Sequence, residues 1–246
     1  MTKFSQHSGM SRTQIFNKRP QRAAIGRWLL VLMTAALPAP GIAQSVHPIT
    51  GRRIAPVMGA GGADWLDREE REGEEQPQKA IAQLHLKPGM YVADVGAGTG
   101  YYSIRIAQSI VPGGLVYAND IQQEMLDRLA KNAAAQHVTN IVPVLGTESD
   151  PRLPAGKIDL IILVDVYHEF SMPERMLDRL RNSLKPNGEL VLLEYRQEDP
   201  SIPIRPEHKM TVAEIKAEVI PQGYRFEKLV EVLPRQHMVF FLKPQL

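Results

Sequence analysis

From Pro77 onward, apolar residues fall into short unbroken runs that alternate with longer stretches of helical spacing. The runs Tyr91 to Val95, Leu115 to Ala118, Ile141 to Leu145 and Ile158 to Val164 read as strands buried on both faces, with Glu189 to Glu194 as a fifth. Between them, Gln78 to Leu84, Tyr101 to Ile110, Gln122 to Ala135 and Pro173 to Ser183 carry helix-like spacing, and Pro186 and Gly188 break the last. The alternation predicts an α/β fold, a doubly wound, mostly parallel sheet covered on both faces. The tail departs from it. A helix near Val212 to Ile220 precedes two strand-like runs, Phe226 to Leu233 and His237 to Leu242, separated by Pro234 and Arg235. An antiparallel hairpin at the sheet edge accommodates both and brings the strands to seven.

Ahead of this pattern lies a mixed segment with Gly59, Gly61, Gly62 and Trp65, then a charge run from Asp67 to Glu75. It reads as an N-terminal arm, residues 44–76, appended to a domain spanning 77–246. No strand precedes the glycines, so a flexible turn is expected rather than a phosphate cradle. Arg68 and Arg71 among the acids predict a solvated helical face.

The formal charge of +2 on 246 residues hides an asymmetry. Lys3, Arg12, Lys18, Arg19, Arg22 and Arg27 stand in the first 43 residues with no acid, so the remainder carries about −4. That balance is opposite to what phosphate neutralisation needs, and no nucleic-acid partner is expected. The basic residues end before the apolar run Trp28 to Leu37, and Gly41, Ile42 and Ala43 form a plausible cleavage site before Gln44. A signal peptide over residues 1–43 is the first reading. It implies export to a periplasm or the exterior and no stable membrane span after its removal. A retained anchor is the second reading and a transit peptide the third. With no cysteine, the chain has no disulfide and no zinc–thiolate site.

The chemistry starts at Val92 to Gly100, VADVGAGTG, where an apolar strand ends in Asp94, Gly96, Ala97, Gly98 and Gly100 just before a helix-like segment. Alternate glycines let the backbone turn sharply and approach a ligand. Asp94 is the discriminating residue. A carboxylate there repels the pyrophosphate of a dinucleotide and attracts a cationic cofactor. Asp120, 20 residues after Gly100, is placed to accept hydrogen bonds from ribose hydroxyls or to cap the next helix. Asp165 ends the fourth strand, where it faces cofactor or substrate or makes local bonds only. His168 follows it and is the general-base candidate, oriented by Glu169. Tyr101 and Tyr102 are candidates to shield a sulfonium, with core packing as the alternative. Tyr195, Arg196, His208 and Lys209 form a second tier, for the acceptor pocket or merely for ending elements.

This pattern resembles the class I S-adenosylmethionine-dependent methyltransferases, over roughly Pro77 to the C-terminus. The resemblance implies a seven-stranded Rossmann-like sheet ending in a hairpin, S-adenosylmethionine as cofactor, and Ile121 against the adenine. The family's acid after the third strand contacts the adenine amino group. Here Gly146 is followed by Thr147 and Glu148, so either side chain takes that contact. Enzymes acting on nucleobase or glutamine amines carry an Asn/Asp-Pro-Pro-aromatic turn after the fourth strand, where this chain has DVYHEF from Asp165. Carbon-5 methylation of cytosine needs a cysteine. Catechol-type enzymes pair an acid like Asp165 with an Asp-Asn after the fifth strand, where Glu194 and Tyr195 stand, so no metal is expected. What remains is a small-molecule, lipid or quinone-like acceptor. A nicotinamide-dependent oxidoreductase and a non-catalytic binding protein are the competing readings.

Overall fold

Alternate residues of the central strands feed two separate cores, which is what fixes the layering. Val92, Leu160, Ile162, Val191 and Leu193 point into one, and Ala93, Ile161, Leu163, Leu190 and Leu192 into the other. The computed structural model describes residues 45–244. The strands are β1 (Tyr91–Val95), β2 (Leu115–Asp120), β3 (Ile141–Leu145), β4 (Ile158–Val164), β5 (Leu184–Tyr195), β6 (Arg225–Val230) and β7 (Gln236–Leu242). They form one sheet in the order β3-β2-β1-β4-β5-β7-β6, parallel through β5, with β7 antiparallel to β5 and β6. Helices α1 (Ala63–Leu66), α2 (Arg71–Glu75) and α3 (Pro77–Gln83) lead in, followed by α4 (Tyr101–Ser109), α5 (Gln123–Ala135), α6 (Pro173–Ser183) and α7 (Val212–Val219). Ala80, Ile106 and Leu129 of α3, α4 and α5 fill one core, and Leu177, Leu180, Ile215 and Val219 of α6 and α7 fill the other. The winding reverses between β1 and β4. Their carboxyl ends open the crevice in which open parallel sheets bind ligands.

Three sequence expectations change. The fifth strand begins at Leu184, directly after α6, because Pro186 to Gly188 are absorbed as a bulge: Ile158 pairs with Leu184, but Leu160 pairs with Glu189. The second strand runs two residues further than its apolar run, so Asp120 is its last residue, opposite Leu145 of β3. The charge run is solvated only in part: Asp67, Glu69, Glu70 and Glu72 are exposed, but two of its members turn inward. Arg71 and Glu75 are buried, the guanidinium donating to Glu75 Oε1 at 2.9 Å and to the Leu66 carbonyl at 3.0 Å.

Residues 45–76 lie against the sheet domain. Arg52 makes two 3.0 Å bonds to Glu218 of α7, while its guanidinium and the Ala55 amide donate to the His168 carbonyl at 3.1 and 3.0 Å. The expected export segment, residues 1–43, falls outside the described residues. Among those described, no helix is long and apolar enough to cross a membrane.

Candidate active site

The turn after β1 is strapped to β2. The amides of Gly96 and Ala97 both donate to the Asn119 carbonyl at 2.9 Å, and that of Gly98 donates to Asp120 Oδ2 at 2.9 Å. Gly100 closes on the Ala97 carbonyl at 3.0 Å. Gly96 has φ +75°, and a Cβ there would meet Val166 at 2.4 Å, so only glycine fits. Gly98, φ +53°, faces Leu66 of the arm, which a Cβ would meet at 2.9 Å. The glycines thus let two other segments close over the strand ends, and four turn amides are already satisfied internally.

Asp120 serves as strand terminus and cap together: Oδ1 accepts from the Gln122 amide at 2.9 Å while Oδ2 holds Gly98. Burial raises its pKa against those bonds. Asp94 is buried and accepts from Ser103 Oγ at 2.6 Å. Burial pushes its pKa up to about 6, opposed by that bond and by the Arg71 charge. Ile121 is partly exposed and lines the same cavity, as does Glu148, whose Oε2 accepts from Ser171 at 2.8 Å. Thr147 does not reach it. Its hydroxyl accepts from the Asp150 amide at 3.0 Å and so closes its own tight turn, which leaves Glu148 as the acid after β3.

Asp165 has φ +51° and is half-buried, one oxygen accepting from Gln236 of β7 at 2.6 Å. Burial beside Glu75 and Glu194 holds its pKa well above the carboxylate range. Its other oxygen, with Glu75 Oε2 and the Tyr102 hydroxyl, has no hydrogen-bond partner among the described residues. Such orphans fit a ligand that brings donors, as the ammonium end of S-adenosylmethionine does. Neither tyrosine offers a free face. Tyr101 lies between Arg71 and Arg105, each 4.0 Å from its ring centroid, and Tyr102 is packed in the core.

His168 is 1% exposed and both ring nitrogens are engaged: Nδ1 with Glu194 Oε2 at 2.6 Å and Nε2 with His208 Nδ1 at 3.1 Å. A base acting directly on an acceptor needs a free nitrogen, so the expected role of His168 does not follow from its position. Nor is Glu169 its orienter, at 4.0 Å from Nε2. Glu194 is, and its second oxygen takes the Tyr167 amide at 2.9 Å. Burial raises Glu169 to about 7 and lowers His208 to about 4, the His168 and Arg205 charges adding to the latter. Of the second tier, His208 and Tyr195 line the cavity, Tyr195 donating to Glu75 at 3.1 Å. Arg196 instead binds Glu231, and Lys209 binds the carbonyls of Asp199 and Ile202. Arg71, Glu75 and Glu194 were missed by sequence reasoning. The signal for Glu194 was a lone acid ending an apolar strand, which burial obliges to find partners.

A cavity of about 530 Å³ joins the glycine turn to the histidine cluster. It runs from the glycine turn and Asp120, beneath Met58, Trp65 and Leu66 of the arm, to His168, Glu169 and His208.

Residues 92–188 match a family model described as a methyltransferase domain. The chain is 29% identical over 115 residues to demethylmenaquinone methyltransferase of Symbiobacterium thermophilum, covering 46% of each chain. It is 30% identical over 140 residues to nocamycin O-methyltransferase of Saccharothrix syringae, covering 57% of this chain and 48% of the relative. The chain spans about half the length of the curated relatives it matches. A crystal structure of a SAM-dependent methyltransferase from Aquifex aeolicus superposes with a TM-score of 0.72 at 26% identity, over 76% of this chain and all of that one.

Proposed function

We propose that the chain, which matches a methyltransferase domain over residues 92–188 and superposes on a SAM-dependent methyltransferase at 26% identity, transfers a methyl group from S-adenosylmethionine to a small, largely apolar acceptor carrying one polar reacting atom. The observation that carries this reading is the shared cavity: the glycine turn and the histidine cluster open into one space under apolar arm residues. Its size suits a small-molecule site. The internally satisfied turn supports the choice of cofactor. A pyrophosphate needs free amides there, whereas those of Gly96, Ala97, Gly98 and Gly100 are spoken for and Asp94 lies behind them.

In this reading Asp120 takes the ribose hydroxyls, Ile121 packs against the adenine and Glu148 meets its amino group. Asp94 and the orphaned oxygen of Asp165 receive the ammonium end. The cofactor supplies an activated methyl on a sulfonium, and the protein's share is to hold the acceptor in line with it while the arm excludes water. Met58, Trp65 and Leu66 press on the acceptor's apolar body; Glu169, beside the His168–His208 pair, meets its polar atom. Relatives named demethylmenaquinone methyltransferase and nocamycin O-methyltransferase favour a quinone-like or other small-molecule acceptor.

Titration calorimetry of the full chain with S-adenosylhomocysteine and with NAD tests the cofactor assignment. Binding of the first alone is expected, and binding of NAD alone overturns it. Mass-resolved assay over a panel of quinols, phenols and amines tests the acceptor class. Methylation restricted to amines overturns that part.

A further inference from the structure

The end of the cavity away from the glycine turn gathers three donor atoms around one point. His168 Nε2 and His208 Nδ1 are 3.1 Å apart, and Glu169 Oε1 is 4.0 Å from the first and 3.9 Å from the second. The corners of such a triangle share a common point about 2.1 Å from each, the length of a bond from imidazole nitrogen or carboxylate oxygen to Zn²⁺. None of the three donor atoms has to move. We propose that His168, Glu169 and His208 form a binding site for a divalent transition-metal ion. Two imidazoles and one carboxylate select a first-row ion such as zinc, iron(II) or manganese over magnesium or calcium.

The surroundings are those of a built site. Glu194 Oε2, itself buried, holds Nδ1 of His168 at 2.6 Å, which fixes the ring and its tautomer and leaves Nε2 as the ring's donor atom on the cavity side. The other Glu194 oxygen is committed to the Tyr167 amide, so this carboxylate orients rather than ligates. The backbone of His168 is pinned from the arm by Arg52 and Ala55. All three residues line the cavity, so an ion held by them would keep an open face toward it.

Without an ion the same atoms form a chain of hydrogen bonds. Arg205 donates to His208 Nε2 at 2.9 Å, which places the His208 proton on Nδ1 and directs it at His168 Nε2. The ion takes the place of that proton. His208 then carries its proton on Nε2, and Arg205, whose side chain is 68% exposed, swings into solvent. Two carboxylates, Glu169 and Glu194, balance the ion's charge. The catechol-type pattern that the sequence lacks is a different donor set and does not bear on this one. The ion's use rests on the methyl-transfer reading: an acceptor oxygen on its open face loses its proton more readily, and the oxyanion is the better methyl acceptor. Binding itself does not rest on that reading.

The test is titration of the EDTA-treated full chain with Co²⁺ alone, read by visible absorption and calorimetry, with S-adenosylhomocysteine binding measured on the same samples. One equivalent of Co²⁺ is expected, displaced by Zn²⁺. His208→Ala and Glu169→Gln should each weaken it by about 100-fold while leaving S-adenosylhomocysteine binding intact, which shows that the variants fold. Arg205→Ala should bind at least as tightly as the parent, because a competing donor is gone. No stoichiometric Co²⁺ uptake by the parent chain, or uptake that survives both ligand substitutions, overturns the site. Loss of S-adenosylhomocysteine binding in the parent with Co²⁺ uptake retained overturns the cofactor assignment instead.

Discussion

At the glycine-turn end of the cavity, where the cofactor is proposed to bind, Asp94, the turn and Asp120 occupy the ends of two paired strands, and the bonds between them run mostly to backbone. At the histidine end, proposed for the acceptor, His168 and Glu169 sit on the 3-10 turn Tyr167–Glu169, His208 on Pro206–His208, Glu194 on β5, and the arm lies across them. The first end is a local device: register between β1 and β2 places its acids whatever the rest of the chain does. The second is a meeting of segments distant in sequence, such as Ala55 with His168 and His168 with His208. A local device keeps its geometry when a distant contact is lost, and a meeting does not.

The largest effect should come from Gly98→Val. A β-branched residue at φ +53° whose Cβ already meets Leu66 displaces the turn or the arm. S-adenosylhomocysteine affinity should fall by more than about 100-fold, with circular dichroism unchanged. Retained affinity removes this turn from the cofactor site. Arg71→Ala strikes both ends, since it leaves Glu75, buried on the same arm helix, without its cationic partner and with only the Tyr195 hydroxyl bonded to it. A loss of about 3–5 kcal/mol is expected, read as a drop in Tm of roughly 10 °C. An unchanged Tm makes the arm an accessory and breaks the comparison.

Asp120→Ala should cost about 1–3 kcal/mol of S-adenosylhomocysteine affinity by calorimetry, with Co²⁺ uptake at the other end unaffected. A change in both would mean the ends are coupled. The smallest effect is that of pH. The Asp94 carboxyl, faced by Ser103, Arg71 and Asp120 and raised to about 6, is charged above that value and neutral below it. Its attraction for the ligand's ammonium therefore exists at pH 7.5 and is lost by pH 5. S-adenosylhomocysteine affinity should decline by about tenfold over that range in the parent chain and less in Asp94→Asn. A flat profile denies Asp94 an electrostatic role.

The same contrast governs how much could be read from the sequence. Ile141–Leu145, Ile158–Val164 and Pro173–Ser183 have the bounds that their apolar runs and N-terminal proline imply, because period and capping are local properties. The Asp94-to-Gly100 turn was legible for the same reason. The start of β5 was not, since Pro186 and Gly188 signal a break and only pairing with β4 turns that break into a bulge. Burial of Arg71 and Glu75 was hidden because a mixed charge run carries no mark of whether solvent or a partner meets it. For His168 the residue was legible and its orienter was not. Glu169 is adjacent in sequence, but on a 3-10 turn neighbouring side chains diverge, and Glu194 arrives from the next strand.

Trp65 stands on the cavity wall, 41% exposed, with the Arg68 guanidinium 3.7 Å from its ring centroid. An indole in that position is an optical gauge. Whatever fills the space beneath it changes the polarity it senses and disturbs the stacked cation, so its emission should shift with occupancy. The chain has one other tryptophan, Trp28. In a Trp28→Phe background the signal belongs to Trp65 alone, and cofactor, acceptor and metal can each be followed into the cavity without a label.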